Sequence, residues 1–167
     1  MKKVYSFCSV CGGKLKSIAG DNLECPKCGF VNFRNPRPTV TALVFHKNKL
    51  LLTRRLRDPF KGWWDLPGGY INRGEYPAGA VQRELWEETG LRPVLKNIFG
   101  IYPGTDSYRA DKYHVLSIVY TASSSVSRLL AKDDVSESKW FSRKDLPKKI
   151  AFDSNRNIIK DLLKVWK

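Results

Sequence analysis

The chain has 167 residues, 42% hydrophobic and 28% charged, which suits one ordinary globular domain with a small appendage. Its 30 Lys and Arg against 16 Asp and Glu give a formal net charge of +14, a field that attracts nucleotides, nucleic acids and anionic surfaces alike. No apolar run approaches the roughly 20 residues of a membrane helix, and the opening MKKVYSFCSVCGG lacks the apolar stretch of a signal peptide, so no membrane partner and a cytoplasmic location are expected.

Residues 1–35 form a module punctuated by Cys and Gly, without helical periodicity. Cys8-Ser9-Val10-Cys11 and Cys25-Pro26-Lys27-Cys28 contain all four cysteines, and each pair is followed by a glycine, Gly12 or Gly29. The C-x2-C spacing lets two thiolates grip one ion, and two such pairs complete a closed, structural zinc site of four cysteines. A disulfide framework is the alternative, but it belongs to oxidising compartments. Zinc would supply the folding energy that so short a module lacks in hydrophobic core. Pro36 and Pro38 mark a stiff junction, and residues 36–167 form the second unit.

Thr39 to Arg55 reads as two strands around a polar turn at Lys47-Asn48-Lys49. Arg54 and its neighbours Arg55 and Arg57 could guide phosphates, because guanidinium binds them bidentately; edge-strand solubility is the duller use. Residues 56–74 are loop-rich, and carry Trp63 and Trp64 just before Leu66-Pro67-Gly68-Gly69. One of these indoles could stack on a base while the other packs inside. A helix is expected from Pro77, whose missing N–H costs nothing in a first turn, to Thr89, with Gly90 as its stop. Val94 to Tyr102 and Lys112 to Ala122 read as strands, as does the short Glu137 to Ser142. From about Asp153 an amphipathic helix places Ile159, Leu162, Leu163 and Trp166 on one stripe. Strands flanked by two helices predict an α/β sandwich with a mixed sheet. His46 and His114 have no companion ligand and receive no catalytic role.

The acidic helix carries the chemistry. At about 100° per residue, Ala78, Val81 and Leu85 form an apolar face, and Glu84, Glu87 and Glu88 occupy the adjacent sector. Like charges three and four apart repel. Their crowding in so basic a chain points to a divalent cation, and Mg²⁺ favours carboxylates together with substrate phosphates. Arg83 can pair with Glu87 and reach back to Glu75. Gly68 and Gly69 allow close backbone approach, and could add a carbonyl ligand. A solvated helix face with internal ion pairs is the bland alternative.

Gly69 is followed after five residues by Glu75 and, after seven more, by Arg83, Glu84 and Leu85; Glu87, Glu88, Gly90 and Leu91 complete the run. This pattern is that of the Nudix box, and residues 37–167 resemble the Nudix hydrolases. The resemblance implies an α/β/α sandwich (α/β, or α+β) that cleaves a nucleoside diphosphate linked to another moiety. It implies Mg²⁺ or Mn²⁺ on Glu84, Glu87, Glu88 and the Gly68 carbonyl, with Arg83 and Glu75 as orienting partners. It implies a base from a later loop, for which Asp134 and Glu137 are the candidates. The first 35 residues are similar to the zinc ribbon of NADH pyrophosphatase-like proteins, yet no Ser-Gln-Pro-Trp-Trp run follows the box. Pro103 and Tyr108 lie near positions that other subgroups use for ADP-ribose and dinucleoside polyphosphates. The substrates implied are ADP-ribose, NAD(H) or a related dinucleotide. The rivals are a pyrophosphatase of oxidised or noncanonical NTPs and, from another class, a nucleic-acid-binding zinc-ribbon protein. Many relatives dimerise, so a homodimer is a further expectation.

Overall fold

The computed structural model describes residues 5–108 and 111–167, the side chains of residues 107, 108 and 111 excepted. Near the N-terminus, β1 (Lys16–Ser17), β2 (Leu23–Glu24) and β3 (Val31–Asn32) form a small antiparallel sheet. Gly12 and Gly29 turn the chain at φ 71° and 72° directly after Cys11 and Cys28. The four cysteines and this sheet fit a small zinc ribbon.

The larger sheet begins with β4 (Arg37–His46) and β5 (Lys49–Arg55). Lys47 and Asn48 join them, both at positive φ (46° and 58°), as a two-residue hairpin turn requires. The stretch expected to be loop contains two short strands, β6 (Trp64–Asp65) on β5 and β7 (Gly68–Tyr70) on β4. They are too short for a period-two pattern to register. Helix α1 (Pro77–Thr89) follows, then β8 (Val94–Tyr108), β9 (Asp111–Ser123), β10 (Val135–Phe141) and α2 (Asp153–Val165). β8 runs past Tyr102, where the sequence pattern ends it, because its hairpin with β9 continues the pairing to Tyr108 and Asp111.

The main path of the sheet is β10-β5-β4-β9-β8. β4 and β9 run parallel, and the other pairs on this path are antiparallel, so the sheet is mixed. β5 lies between β10 and β4, which removes the edge-strand explanation for Arg54.

Alternation along the central strands builds a core on each face. Val40, Ala42, Val44 and Leu51 pack with Ala80, Val81 and Leu85 of α1. Leu43, Leu50 and Leu52 pack with Ile158, Ile159 and Leu162 of α2. Each such fully buried leucine contributes about 2 kcal/mol of transfer free energy. The result is an α+β sandwich of one mixed sheet between two helices. One expectation is corrected: Ala78 is exposed and Ala80 is buried. The face of α1 that meets β4 and β7 is centred on Val81, Leu85 and Glu88, and the first turn projects beyond it.

Among the described residues no helix is long and apolar enough to cross a membrane.

Candidate active site

β7 and α1 bring the glycines and the acids together. Gly68 has φ 150°, and a Cβ there would lie 2.2 Å from the Val40 carbonyl oxygen, so only glycine lets β7 sit this close to β4. A Cβ on Gly69 would lie 2.5 Å from Glu84 Oε1, so the missing side chain is the space that the Glu84 carboxylate occupies.

Arg83 organises this cluster. Its Nε donates to Glu75 Oε1 at 2.8 Å. One terminal nitrogen donates to Glu84 Oε1 at 2.7 Å and Glu87 Oε2 at 3.0 Å. The other donates to the Tyr70 carbonyl at 3.0 Å and Glu75 Oε2 at 3.0 Å. All five guanidinium N–H groups are therefore engaged, which fixes the plane of the fork against helix and loop. The same bonds hold Glu75 down at about 2, helped by the Asn72 N–H, so this acid stays ionised in nearly all conditions.

Glu88 is the acid without a compensating cation. It is 7% exposed, and its Oε2 is buried with no hydrogen-bond partner. Burial pushes its pKa well above the usual carboxylate range, and the nearby charges of Asp134, Glu84 and Asp65 push it further. Burial also raises Glu84, against the lowering effect of Arg83. Two carboxylates with this tendency, one with an orphaned oxygen, suit a hard divalent cation, which would compensate their charge.

These acids line one cleft of about 570 Å³. Gly68, Gly69, Glu84, Glu88 and Asp134 contribute to its wall, with Arg55 and Arg57 at the same opening. Glu87 stays outside that lining, on the exposed rim, held by Arg83. Glu84, Glu87 and Glu88 do not meet at a point. Among the described residues, the set whose ligand atoms all lie within 4.8 Å is Cys8, Cys11, Cys25 and Cys28. Arg83 holds Glu84 and Glu87 by direct hydrogen bonds.

The two candidate bases part company. Asp134 lines the cleft, whereas Glu137 on β10 faces Arg54 at 3.4 Å, with both side chains about half exposed. Arg54 also donates to the Gly62 carbonyl and does not line the cleft. Trp64 packs in the α2-side core with its ring 4.7 Å from that of Phe141. Trp63 lies against Phe60 at 5.3 Å. Neither indole lines the cleft. Pro103 sits in β8, and the side chain of Tyr108 lies outside the described residues.

A buried acid with two distant partners, in the wall of the same cleft, escapes the sequence pattern. Asp65 is 7% exposed; its Oδ1 accepts from the Leu66 N–H and the Asn155 amide, and its Oδ2 pairs with Arg55 at 3.1 Å. Burial lifts Asp65 to about 6 despite the Arg55 charge. Arg55 lies 4.8 Å over the Phe152 ring, so the fork is held from two sides. An Asp between Trp64 and Leu66 is the available signal; Asn155, 90 residues away, has none.

The cysteines form the second cluster. Cys8 and Cys28 Sγ are 3.7 Å apart, and Cys11 and Cys25 Sγ 3.5 Å. Zn–S bonds of about 2.3 Å in a tetrahedron separate sulfurs by about 3.8 Å, whereas a disulfide holds them at about 2.05 Å. The thiols are unbridged, and the spacing fits a metal.

A family model, NUDIX domain, matches residues 35–162. An ADP-ribose pyrophosphatase of Methanocaldococcus jannaschii is 41% identical over 135 residues, covering 81% of this chain and 77% of that protein. An NAD-capped RNA hydrolase NudC of Stutzerimonas stutzeri is 26% identical over 168 residues, covering 97% of this chain and 56% of that protein. This chain thus spans little more than half of that relative. A NUDIX hydrolase structure from Nitrosomonas europaea superposes with a TM-score of 0.79 at 26% identity, covering 95% of this chain and 90% of that one. The chain belongs to the NUDIX domain family. It is a hydrolase of phosphoanhydride bonds, and enzymes of this family need a divalent metal.

Proposed function

We propose that the chain hydrolyses ADP-ribose, NAD(H) or a related conjugate of a nucleoside diphosphate, giving a nucleoside monophosphate and a phosphorylated remainder. The observation that carries this reading is the partnerless Glu88 oxygen, buried beside Glu84 in a cleft that also holds Arg55 and Arg57. The 41% identity with an ADP-ribose pyrophosphatase supports the substrate class.

Glu84 and Glu88 would hold Mg²⁺ or Mn²⁺, with Glu87 from the rim and the Gly68 carbonyl as further ligands. Such a cation supplies charge at the phosphoryl oxygens and acidifies a water. Arg83 sets the positions of Glu84, Glu87 and Glu75 through its five bonds. Arg55, oriented by Asp65, and Arg57 take the substrate phosphates in preference to Arg54. Asp134 accepts the proton of the attacking water, since Glu137 is committed to Arg54 outside the cleft. Residues 1–35 form a separate unit, in which Cys8, Cys11, Cys25 and Cys28 hold a structural Zn²⁺.

A panel of ADP-ribose, NAD⁺, NADH and noncanonical NTPs, incubated with Mg²⁺ or Mn²⁺ and read by product mass, tests this reading. ADP-ribose should yield AMP and ribose 5-phosphate, and Glu88→Gln should slow this about a thousandfold. Release of inorganic pyrophosphate from NTPs, with ADP-ribose and NAD(H) untouched, would instead select the NTP reading.

A further inference from the structure

A second cleft, of about 600 Å³, lies where the ribbon meets the β8–β9 hairpin. On the ribbon side it is lined by Phe33 and Arg34, and on the hairpin side by Lys112 and Tyr113. Arg37 at the start of β4 adds another cation, and Asp21 is the one carboxylate in its lining among the described residues.

Three features set this cleft apart from a merely basic surface. First, Phe33 lines the cleft and is 65% exposed, so an apolar ring is left available there. Second, the polar walls are organised. Arg34 donates to the Lys112 carbonyl across the junction at 3.5 Å and lies over the Tyr5 ring at 5.9 Å. Arg37 sits 3.6 Å over the Tyr113 ring. Third, the cleft adjoins the catalytic one, because Thr105 and Tyr113 line both. The Tyr113 hydroxyl meets the Tyr70 hydroxyl at 2.8 Å, and Tyr70 donates to Asp106 at 2.6 Å. The Tyr70 carbonyl is one of the acceptors that position Arg83. The partition between the two clefts is therefore built into the arginine network of the acidic helix.

An aromatic platform flanked by guanidinium and ammonium groups is the chemistry that holds a base and its phosphate. We propose that this cleft is a second nucleotide subsite, where the base beyond the scissile anhydride stacks on Phe33 and, in a strand, the next phosphate along meets Arg34 and Lys112. The inference rests on the hydrolase reading above, because it seats the part of the substrate that lies beyond the scissile anhydride. The bound unit is either the second base of a dinucleotide, whose phosphate stays in the catalytic cleft, or a nucleotide of a single strand joined to the reacting pyrophosphate. ADP-ribose, which has no second base, leaves this cleft unused.

The test compares the zinc-loaded full chain with its Phe33→Ala/Lys112→Gln variant. Three substrates share an AMP half: ADP-ribose, NAD⁺ and a 5′-adenylylated single-stranded oligonucleotide. For ADP-ribose, kcat/KM should stay within about twofold, and for at least one of the longer substrates it should fall about tenfold, mainly through KM. A fall on NAD⁺ identifies the dinucleotide half, and a fall confined to the oligonucleotide identifies the strand. Equal behaviour of all three substrates in the two proteins overturns the subsite. Binding of NAD⁺ by calorimetry and of a fluorescein-labelled oligonucleotide by anisotropy supplies a readout independent of turnover. If neither protein hydrolyses anything, the hydrolase reading fails; a tenfold binding difference then keeps the subsite, and equal binding overturns it. Zinc content and the melting curve check the fold, and Lys112→Gln alone, at an exposed strand position, replaces the double variant should that misfold.

Discussion

The molecule carries two clusters of side chains suited to metal ions, and they are built in different ways. In the ribbon, four sulfurs lie within 4.8 Å of one another, placed by turns whose glycines follow each Cys pair. In the cleft, Glu84 and Glu87 are held aside by Arg83, while Glu88 keeps a buried oxygen with no partner. The first arrangement would satisfy a metal completely and leave no open position, as a structural site requires. The second lines an open cleft, which leaves room for substrate phosphates beside a cation. A closed set of ligands thus suits the fold, and an open one suits turnover.

Substitutions can break this comparison from either side. Cys25→Ser should have the largest effect: zinc is lost and residues 5–32 lose their hydrogen-exchange protection, while ADP-ribose hydrolysis stays within a few-fold. Loss of hydrolysis together with the ribbon would mean that the two units are energetically one. Gly69→Ala comes next. The added methyl would sit 2.5 Å from Glu84 Oε1, and displacing that carboxylate should lower kcat about a hundredfold with little change in melting temperature. An unchanged kcat would show that Glu84 has no catalytic position to lose.

Glu75→Gln should have the smallest effect, and its pH dependence sharpens the role of Arg83. The folded state holds Glu75 at about 2, below its ordinary 4.5, so the native protein binds this proton less readily than the unfolded chain does. Its stabilisation is therefore complete above pH 4.5 and is lost as pH falls towards 2. The variant should melt lower than the wild type at pH 7, and the gap should close over that acid range. A gap that is independent of pH would assign the loss to packing instead of charge.

How much of this is legible in the sequence differs between local and distant partners for a physical reason. Both motifs proposed to hold metals are local in sequence, and helix and knuckle geometry turn spacing into proximity. Burial of Glu88 follows from its place beside Val81 and Leu85 on a 3.6-residue period. The two central strands and both helices are visible for the same reason, in their alternation and their caps. The non-local partners are not visible. Asp65 meets Asn155, and Arg54 meets Glu137, through sheet topology that no window of sequence contains. Trp64 looks available for stacking in the sequence because its pairing with Phe141 across the sheet has no signature in the residues beside it. Periodicity misplaces the face of α1 at Ala78 because it gives the stripe but not where the sheet beneath it ends.

Manganese binding measured by electron paramagnetic resonance tests the central claim most directly. The wild-type chain should bind Mn²⁺ in the acidic cleft, and Glu84→Gln and Glu88→Gln should each weaken that binding at least about tenfold while the cysteine site keeps its zinc. Unaltered Mn²⁺ affinity in both variants would contradict the account, because the buried carboxylates would then have no cation to hold.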